Sequence, residues 1–374
     1  MKRISLLLVL SFIFLAQAFA QVDPFNTYRW NRKNVLNHTG LTDTRPWFEW
    51  WYYKVVIPET NKSFYFVYGV VNPWDHKKTL KGTRAYIGMG DFDEKISTWD
   101  FHPLNSFSAK YNETYVDVAG NVATDKNLKG DFSDEQGRRF SWNIDIDKRW
   151  AYNATGWATG TGITNIEWYP AQADARCSGT INSQGVQYNF QDAPCYQDRN
   201  WGVEFPKWWA WIVSNKFDNN PDTTLAIGGG FPKIAGTEII QGVSIGLKHK
   251  GKEYAFRPNH LDTVTMQINW GKWETEAISR NGLHRIQVSA WAPKEKFMDL
   301  QFMTPTGELY HDYETLVGNV KVKLYKNVGS VLFPKWKLIA DLNSDYAGIE
   351  YGSPKEYGLE SFFGDKKVLF TNKK

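Results

Sequence analysis

The sequence predicts an all-β protein built from two antiparallel barrels, and three observations carry that prediction. Apolar and polar residues alternate with period two along most of the chain. Ile286, Val288 and Ala290 interleave with Gln287, Ser289 and Trp291, and Val320, Val322 and Leu324 with Lys321, Lys323 and Tyr325. Turn signals interrupt these runs at short intervals, as at Pro58 to Lys62, Asn72-Pro73, Lys250-Gly251-Lys252 and Trp270-Gly271-Lys272. No 3.6-residue apolar pattern runs beyond two turns, apart from a short candidate helix around Pro354 to Phe363. Many short antiparallel strands favour barrels or sandwiches over an α/β sheet, and two barrels is the simplest partition.

Taken in chain order, the first element is a leader. Residues 1–20 hold Lys2 and Arg3, an apolar stretch from Ile4 to Ala16, and Ala18-Phe19-Ala20 as a small-x-small cleavage site. Removing those 20 residues from 374 leaves 354, a length that suggests two domains. No later stretch reaches the roughly 18 consecutive apolar residues of a membrane helix, and Gln21 offers no cysteine for a lipid anchor. The expectation is an exported chain, periplasmic or extracellular, without stable membrane insertion. Without Lys2 and Arg3, 42 basic residues stand against 40 acidic ones in no long like-charge run, which argues against nucleic acid as a partner.

The next element is "RPWFEWWYYK", Arg45 to Lys54, a strand with one acid in a run of aromatics. Alternation puts Glu49 on a face with Trp47, Trp51, Tyr53 and Val55, and puts Phe48, Trp50, Tyr52 and Lys54 on the other. Neither face is plainly solvated. A carboxyl group walled by rings loses hydration of its charged form, so its pKa rises and it becomes a candidate general acid. Rings would also stabilise a cation formed by protonating an apolar substrate, by ~1 to 2 kcal/mol for each well-placed ring. The competing reading is a structural ion pair with Arg45, Arg199 or Lys54.

Further along, Cys177 and Cys195 flank a hairpin, "CSGTINSQGVQYNFQDAPC", with its turn at Ser183 to Gly185. In an oxidising compartment the two cysteines should pair. The domain boundary falls near this point, giving an N-terminal domain of residues 21–195 and a C-terminal domain of residues 196–374. The segment that follows, "YQDRNWGVEFPKWWAWIVSN", places Asp198 and Asn200 on one face and Arg199 and Trp201 on the other. Trp209, Trp211 and Val213 share a face of the following strand. With 18 Trp, 19 Tyr and 23 Phe, the ring content exceeds what one core needs and favours an aromatic-lined cavity.

Other motifs fail on context. Gly242-Val243-Ser244-Ile245-Gly246 spells a nucleophile elbow but precedes a hairpin rather than a helix. "AIGGGFPK", Ala226 to Lys233, lacks the Gly-Lys-Ser/Thr ending of a phosphate loop. The seven histidines are scattered, two cysteines give weak support for zinc, and Asp91, Asp93 and Glu94 read as a solvated cluster. No metal and no cofactor are expected.

The pairing of "FEWWYYKV" with the mid-chain "APCYQDRNWGVEFPKWWAWI" resembles the tocopherol cyclase family, whose members carry F-E-G-W-Y-F and A-P-x-Y-x-E-K-N-W-G-x-x-F-P-x-K-W-x-W segments. Weaker agreement runs through "GVSIGLKHKGKEYAF", "INWGKWETEA" and "SDYAGIEYG". The resemblance implies two lipocalin-like β-barrels, in a wider group with carotenoid hydratase-like proteins. It also implies cofactor-free closure of a prenylated hydroquinone to a chromanol, in which an acid protonates the alkene and the phenol oxygen attacks the cation. By position, Asp198 or Glu49 is then the proton donor, and Arg199 or Asn200 orients the phenol or the acid. Trp201, Trp51, Tyr53, Trp209 and Trp211 are the candidate ring contacts to substrate. This chain departs from the family pattern at Trp50, where cyclases carry glycine, at Val203 and Glu204, and in its leader. A non-catalytic carrier of an apolar ligand and an isoprenoid alkene hydratase are the alternatives, with sugar stacking on exposed tryptophans a third.

Overall fold

The structure is a computed structural model that describes residues 22–238, 241–269, 271–356 and 367–371. The expected leader, residues 1–20, and most of the expected Pro354–Phe363 helix lie outside the described residues. The first sheet comprises β1 (Phe48–Ile57), β2 (Lys62–Val71), β3 (Arg84–Asp91), β4 (Ile96–His102), β5 (Phe107–Ala109), β6 (Tyr115–Val118), β7 (Asn121–Thr124), β8 (Asn127–Ser133), β9 (Arg139–Trp150), β10 (Ile166–Ser183) and β11 (Val186–Gly202). The second comprises β12 (Trp209–Ser214), β13 (Thr224–Gly230), β14 (Gly242–His249), β15 (Lys252–Phe256), β16 (Thr263–Asn269), β17 (Lys272–Ile278), β18 (His284–Trp291), β19 (Met298–Met303), β20 (Leu309–Asn327), β21 (Trp336–Ser353) and β22 (Lys367–Thr371).

Both sheets are antiparallel and share one topology. Strands follow in meander order until a long strand returns beside the first: β11 lies between β1 and β10, and β21 between β12 and β20. Each sheet curls on itself, bringing β6 against β2 and β3 in one half and β14 against β16 in the other. The result is two nearly closed lipocalin-like barrels, as the alternation predicts.

Three apolar layers hold the molecule together. Trp51, Tyr53, Phe64, Phe66, Tyr68, Phe140 and Trp142 fill the first barrel. Ile212, Leu225, Ile227, Ile245, Val322 and Ile349 help fill the second. The third layer joins the outer faces of the two sheets, setting Tyr52, Tyr65, Val67 and Tyr196 against Trp211, Val213, Ala226, Leu300 and Leu316. Strands such as β1 are therefore buried on both faces, which explains why the Arg45–Lys54 stretch shows no solvated side.

The β10–β11 hairpin turns where the sequence indicated. Ser183 pairs with Val186, and Gln184 and Gly185 both take positive φ, 53° and 86°, as a two-residue hairpin loop requires. Cys177 and Cys195 are joined in a disulfide across this hairpin. β11 continues past the expected division at residue 195, because residues through Gly202 complete its pairing with β1. The second sheet opens at Trp209. Gly242 to Gly246 lie within β14, where Ser244 hydrogen-bonds Tyr152 and Ala154 rather than standing on an elbow. Asp91, Asp93 and Glu94 are engaged by Ser183, Ser63 and Lys62 respectively.

The disulfide closes a loop between residues 18 apart in sequence. Replacing both Cys177 and Cys195 with serine should lower the unfolding free energy by about 3 kcal/mol. Denaturant titration of the wild-type and doubly substituted chains measures this.

Candidate active site

The site is built by the register of β1 on β11. Glu49 lies opposite Trp201, Trp51 opposite Arg199 and Tyr53 opposite Gln197. Between these pairs, Trp50 lies opposite Asn200 and Tyr52 opposite Asp198. Successive side chains leave opposite faces of a strand, so the two sets separate completely. One set turns inward against the N-terminal segment around residues 25–30. The other turns outward toward the second barrel.

The inward set forms a buried ion pair. Glu49 and Arg199 are both fully buried and in direct contact. Glu49 also accepts the backbone amides of Arg29 and Trp30 and the Trp47 indole N–H. Arg199 donates to the Phe25 and Thr27 carbonyls and lies 4.0 Å over the Trp51 ring. Burial pushes the Glu49 carboxyl up, opposed by Arg199, by the Trp30 amide and by Arg29. Every group around this carboxyl is a donor, so a proton on it would displace one of them. Five sequence candidates, Glu49, Arg199, Trp51, Tyr53 and Trp201, thus stand away from the outward-facing cavity, with Glu49 ion-paired to Arg199.

The outward set meets the second sheet around a cavity of about 630 Å³. Trp50, Tyr52, Trp168, Asp198 and Asn200 line it from the first sheet, and Trp209, Trp211, Gly228 and Ser244 from the second. Trp157 and Leu261, both exposed, line its outer end. Of the sequence candidates, Asp198, Asn200, Trp209 and Trp211 are brought together here. Trp50, where the resemblance places glycine in cyclases, is part of the wall and stacks on Phe302 at 6.0 Å.

Asp198 is 4 % exposed. Its Oδ2 accepts the Trp168 indole N–H at 2.8 Å and the Tyr196 hydroxyl at 2.9 Å. The Tyr196 hydroxyl in turn accepts the Trp211 indole N–H at 3.1 Å, which links the two sheets. Oδ1 has no hydrogen-bond partner among the described residues. Burial raises the Asp198 carboxyl to about 7 against the pull of Trp168 and Tyr196, because no cation sits beside it. It is a carboxyl group with a raised pKa and one free oxygen on an aromatic-walled cavity.

Three further carboxyl groups border the same space, and the sequence reading missed all of them. Asp312 and Glu314 alternate on β20, with Glu350 opposite Glu314 on β21. One oxygen from each lies within 4.8 Å of the others. Glu314 accepts the Tyr52 hydroxyl at 2.5 Å, a second link between the barrels, and Glu350 accepts the Trp209 indole N–H. Burial and repulsion from Glu350 raise Asp312 and Glu314 well above the ordinary carboxylate range, and burial with repulsion from Asp198, opposed by hydrogen bonds from Trp209 and Asp312, raises Glu350 to about 7. Lys54, whose Nζ donates to the Tyr346 carbonyl at 3.0 Å, is brought down to about 7 by burial, against the pull of Glu314. The missed signal was the "AGIEYG" of β21: the Trp211 and Trp209 rings lie over Gly348 and Gly352, where a Cβ would collide with them. Those glycines let two indoles frame Glu350.

Two lipocalin-like barrels enclosing an acid-bearing, aromatic cavity define a class of protein suited to holding one small apolar molecule. More narrowly, the chain belongs to the tocopherol cyclase-like family, whose model matches residues 45–126 and 118–353. It is 26 % identical over 365 residues to a probable chloroplastic tocopherol cyclase of Oryza sativa subsp. japonica, covering 82 % of this chain and 76 % of the rice protein. A chloroplastic tocopherol cyclase of Zea mays is also 26 % identical, over 364 residues, covering 82 % and 75 %. The crystal structure of CghA shares the fold, with a TM-score of 0.52 at 12 % identity over 82 % of this chain and 88 % of that one. No helix among the described residues is long and apolar enough to cross a membrane.

Two outcomes separate the inward and outward acids. Arg199→Met strands Glu49 without a counter-charge and should cost roughly 3–5 kcal/mol of stability by denaturant titration. Asp198→Asn acts in the other direction as pH rises from about 4 to 7. Wild-type Asp198 keeps its proton when folded and releases it on unfolding across that window, so wild-type stability falls with rising pH and the variant lacks that loss. Melting temperatures of both chains across the window check the sign.

Proposed function

We propose that this protein is a cofactor-independent cyclase that protonates an isoprenoid alkene and closes a prenylated hydroquinone to a chromanol. The observation that carries the reading is Asp198: a buried, uncompensated carboxyl with one oxygen free of hydrogen bonds, on a cavity walled by Trp50, Tyr52, Trp168, Trp209 and Trp211. An acid held neutral near pH 7 can give a proton to an alkene carbon, and the rings then favour the tertiary cation over its solvation by water. Family membership supports the same chemistry, since the plant relatives are named tocopherol cyclases. Asn200, two residues along the same strand face, is suited to orienting the phenol. The leader and the Cys177–Cys195 bridge support export, in contrast to the chloroplast relatives.

The test is anaerobic incubation of the purified mature chain with a prenylated hydroquinone, followed by chromatography with mass detection. The expected product is an isomer of unchanged mass. A product heavier by one water would assign hydratase chemistry, and substrate recovered unaltered on the protein would assign a carrier. Asp198→Asn should lower kcat by about 100-fold or more with KM little changed, the signature of a group acting in the transition state. The acid must be protonated, so turnover should fall as pH rises above about 7.

A further inference from the structure

Ring closure needs a proton acceptor as well as a donor, and the cavity holds a second carboxyl centre that the donor role leaves unused. Asp198 stands on β11 and Glu350 on β21, the returning strands of the two barrels. Each lies opposite an aromatic residue of its barrel's first strand, Tyr52 for Asp198 and Trp211 for Glu350, and all four side chains line the cavity. The duplicated topology thus sets one carboxyl on each wall. Asp312, 2 % exposed, is within hydrogen-bonding reach of Glu350, so the two carboxyl groups can share a proton, and both line the same cavity as Asp198. A free Asp198 oxygen on one wall and a carboxyl pair on the other mark where a ligand's polar atoms belong.

We propose that the site works with two carboxyl centres, Asp198 giving the proton to the alkene and Glu350, supported by Asp312, taking the proton that the attacking hydroxyl loses. This rests on the reading of Asp198 as the acid. The Asp198 O–H bond breaks and the alkene π pair forms the new C–H bond, leaving Asp198 as carboxylate and the substrate as a tertiary cation. A lone pair of the phenol oxygen forms the C–O bond. The phenolic O–H then breaks, its electrons remain on the ether oxygen, and its proton passes to the Glu350 carboxylate. The product is an isomer, and the site resets when Glu350 releases one proton to water and Asp198 regains one.

The surrounding groups fit this division. Glu350 faces Asp312 and Glu314 on β20 and feels Asp198 on β11. Beyond Asp312 lies Asp299 on β19, paired with His311 at 2.9 Å. Glu314 is held by Tyr52 and feels Lys54 on β1. Burial, with repulsion from Glu350, keeps protons on Asp312 and Glu314, while hydrogen bonds from Trp209 and Asp312 leave Glu350, the least buried of the three, to ionise first.

The test is the pH dependence of kcat/KM for the purified mature chain with a prenylated hydroquinone. The wild type should give a bell, its acid limb from the acceptor and its basic limb from the donor. Glu350→Gln should lower turnover about 10- to 100-fold and lose the acid limb, and Glu350→Asp should restore that limb. A Glu350→Gln profile that keeps both limbs overturns the acceptor role at any rate, because a merely structural contact would scale the bell without reshaping it. Should Glu350→Gln fail to fold, Glu350→Asp decides alone: an acid limb shifted from wild type supports the role and an unmoved limb overturns it. Asp198→Asn is run in parallel, and full activity in that variant overturns the donor reading itself, a result distinct from failure of the acceptor alone.

Discussion

The register of β1 against β11 is the constraint on which the rest of the molecule depends. Because side chains alternate across a strand, one pairing commits Glu49 and Arg199 to one face and Asp198 and Asn200 to the other. A slip of β1 by a single residue would turn Glu49 onto the face that carries Asp198. It would part Glu49 from Arg199, leave the guanidinium buried without its counter-charge, and add a carboxylate to the apolar cavity wall. The fully buried Glu49–Arg199 contact, held further by backbone amides and carbonyls of the N-terminal segment, specifies the register that delivers Asp198 outward. Its cost in desolvation is offset in part by these hydrogen bonds, with Arg199 Nε left without a partner among the described residues.

The same two strands show how environment divides the roles of chemically similar acids. Glu49 is surrounded by donors and a guanidinium, so its charge has partners. Asp198 has an indole and a phenol as partners, and burial raises its carboxyl to about 7. Buried apolar side chains occupy the barrel interiors, and the cavity lies where two outer faces meet. The tyrosine and tryptophan links that cross this seam, Tyr52 to Glu314 and Trp211 to Tyr196, tie the carboxyl groups to the packing of both barrels.

Much of this was legible in the residues. Period-two alternation and turn spacing indicated two antiparallel barrels, the Cys177–Cys195 hairpin was readable from its turn and spacing, and the split of Asp198 from Arg199 follows from alternation alone. What alternation does not supply is which face meets the cavity. Both faces of β1 are apolar, so Trp51 and Tyr53 were as plausible a lining as Trp50 and Tyr52, and the choice is made only by the docking of the second sheet. Asp312, Glu314 and Glu350 were hidden for the same reason. An Asp-x-Glu alternation on a strand ordinarily marks a solvated face, and only the packing of two outer faces buries it. The glycines beside Glu350 were visible, but their purpose depends on indoles that arrive from another strand.

The central claim is that Asp198 is a neutral acid in the resting protein, and infrared difference titration tests it most directly. Spectra of wild type minus Asp198→Asn, followed from pH 5 to 9, should show a protonated carboxyl band that gives way to carboxylate near pH 7. A carboxylate signature for Asp198 already complete at pH 5 would contradict the account, since an ionised group on this wall has no proton to give.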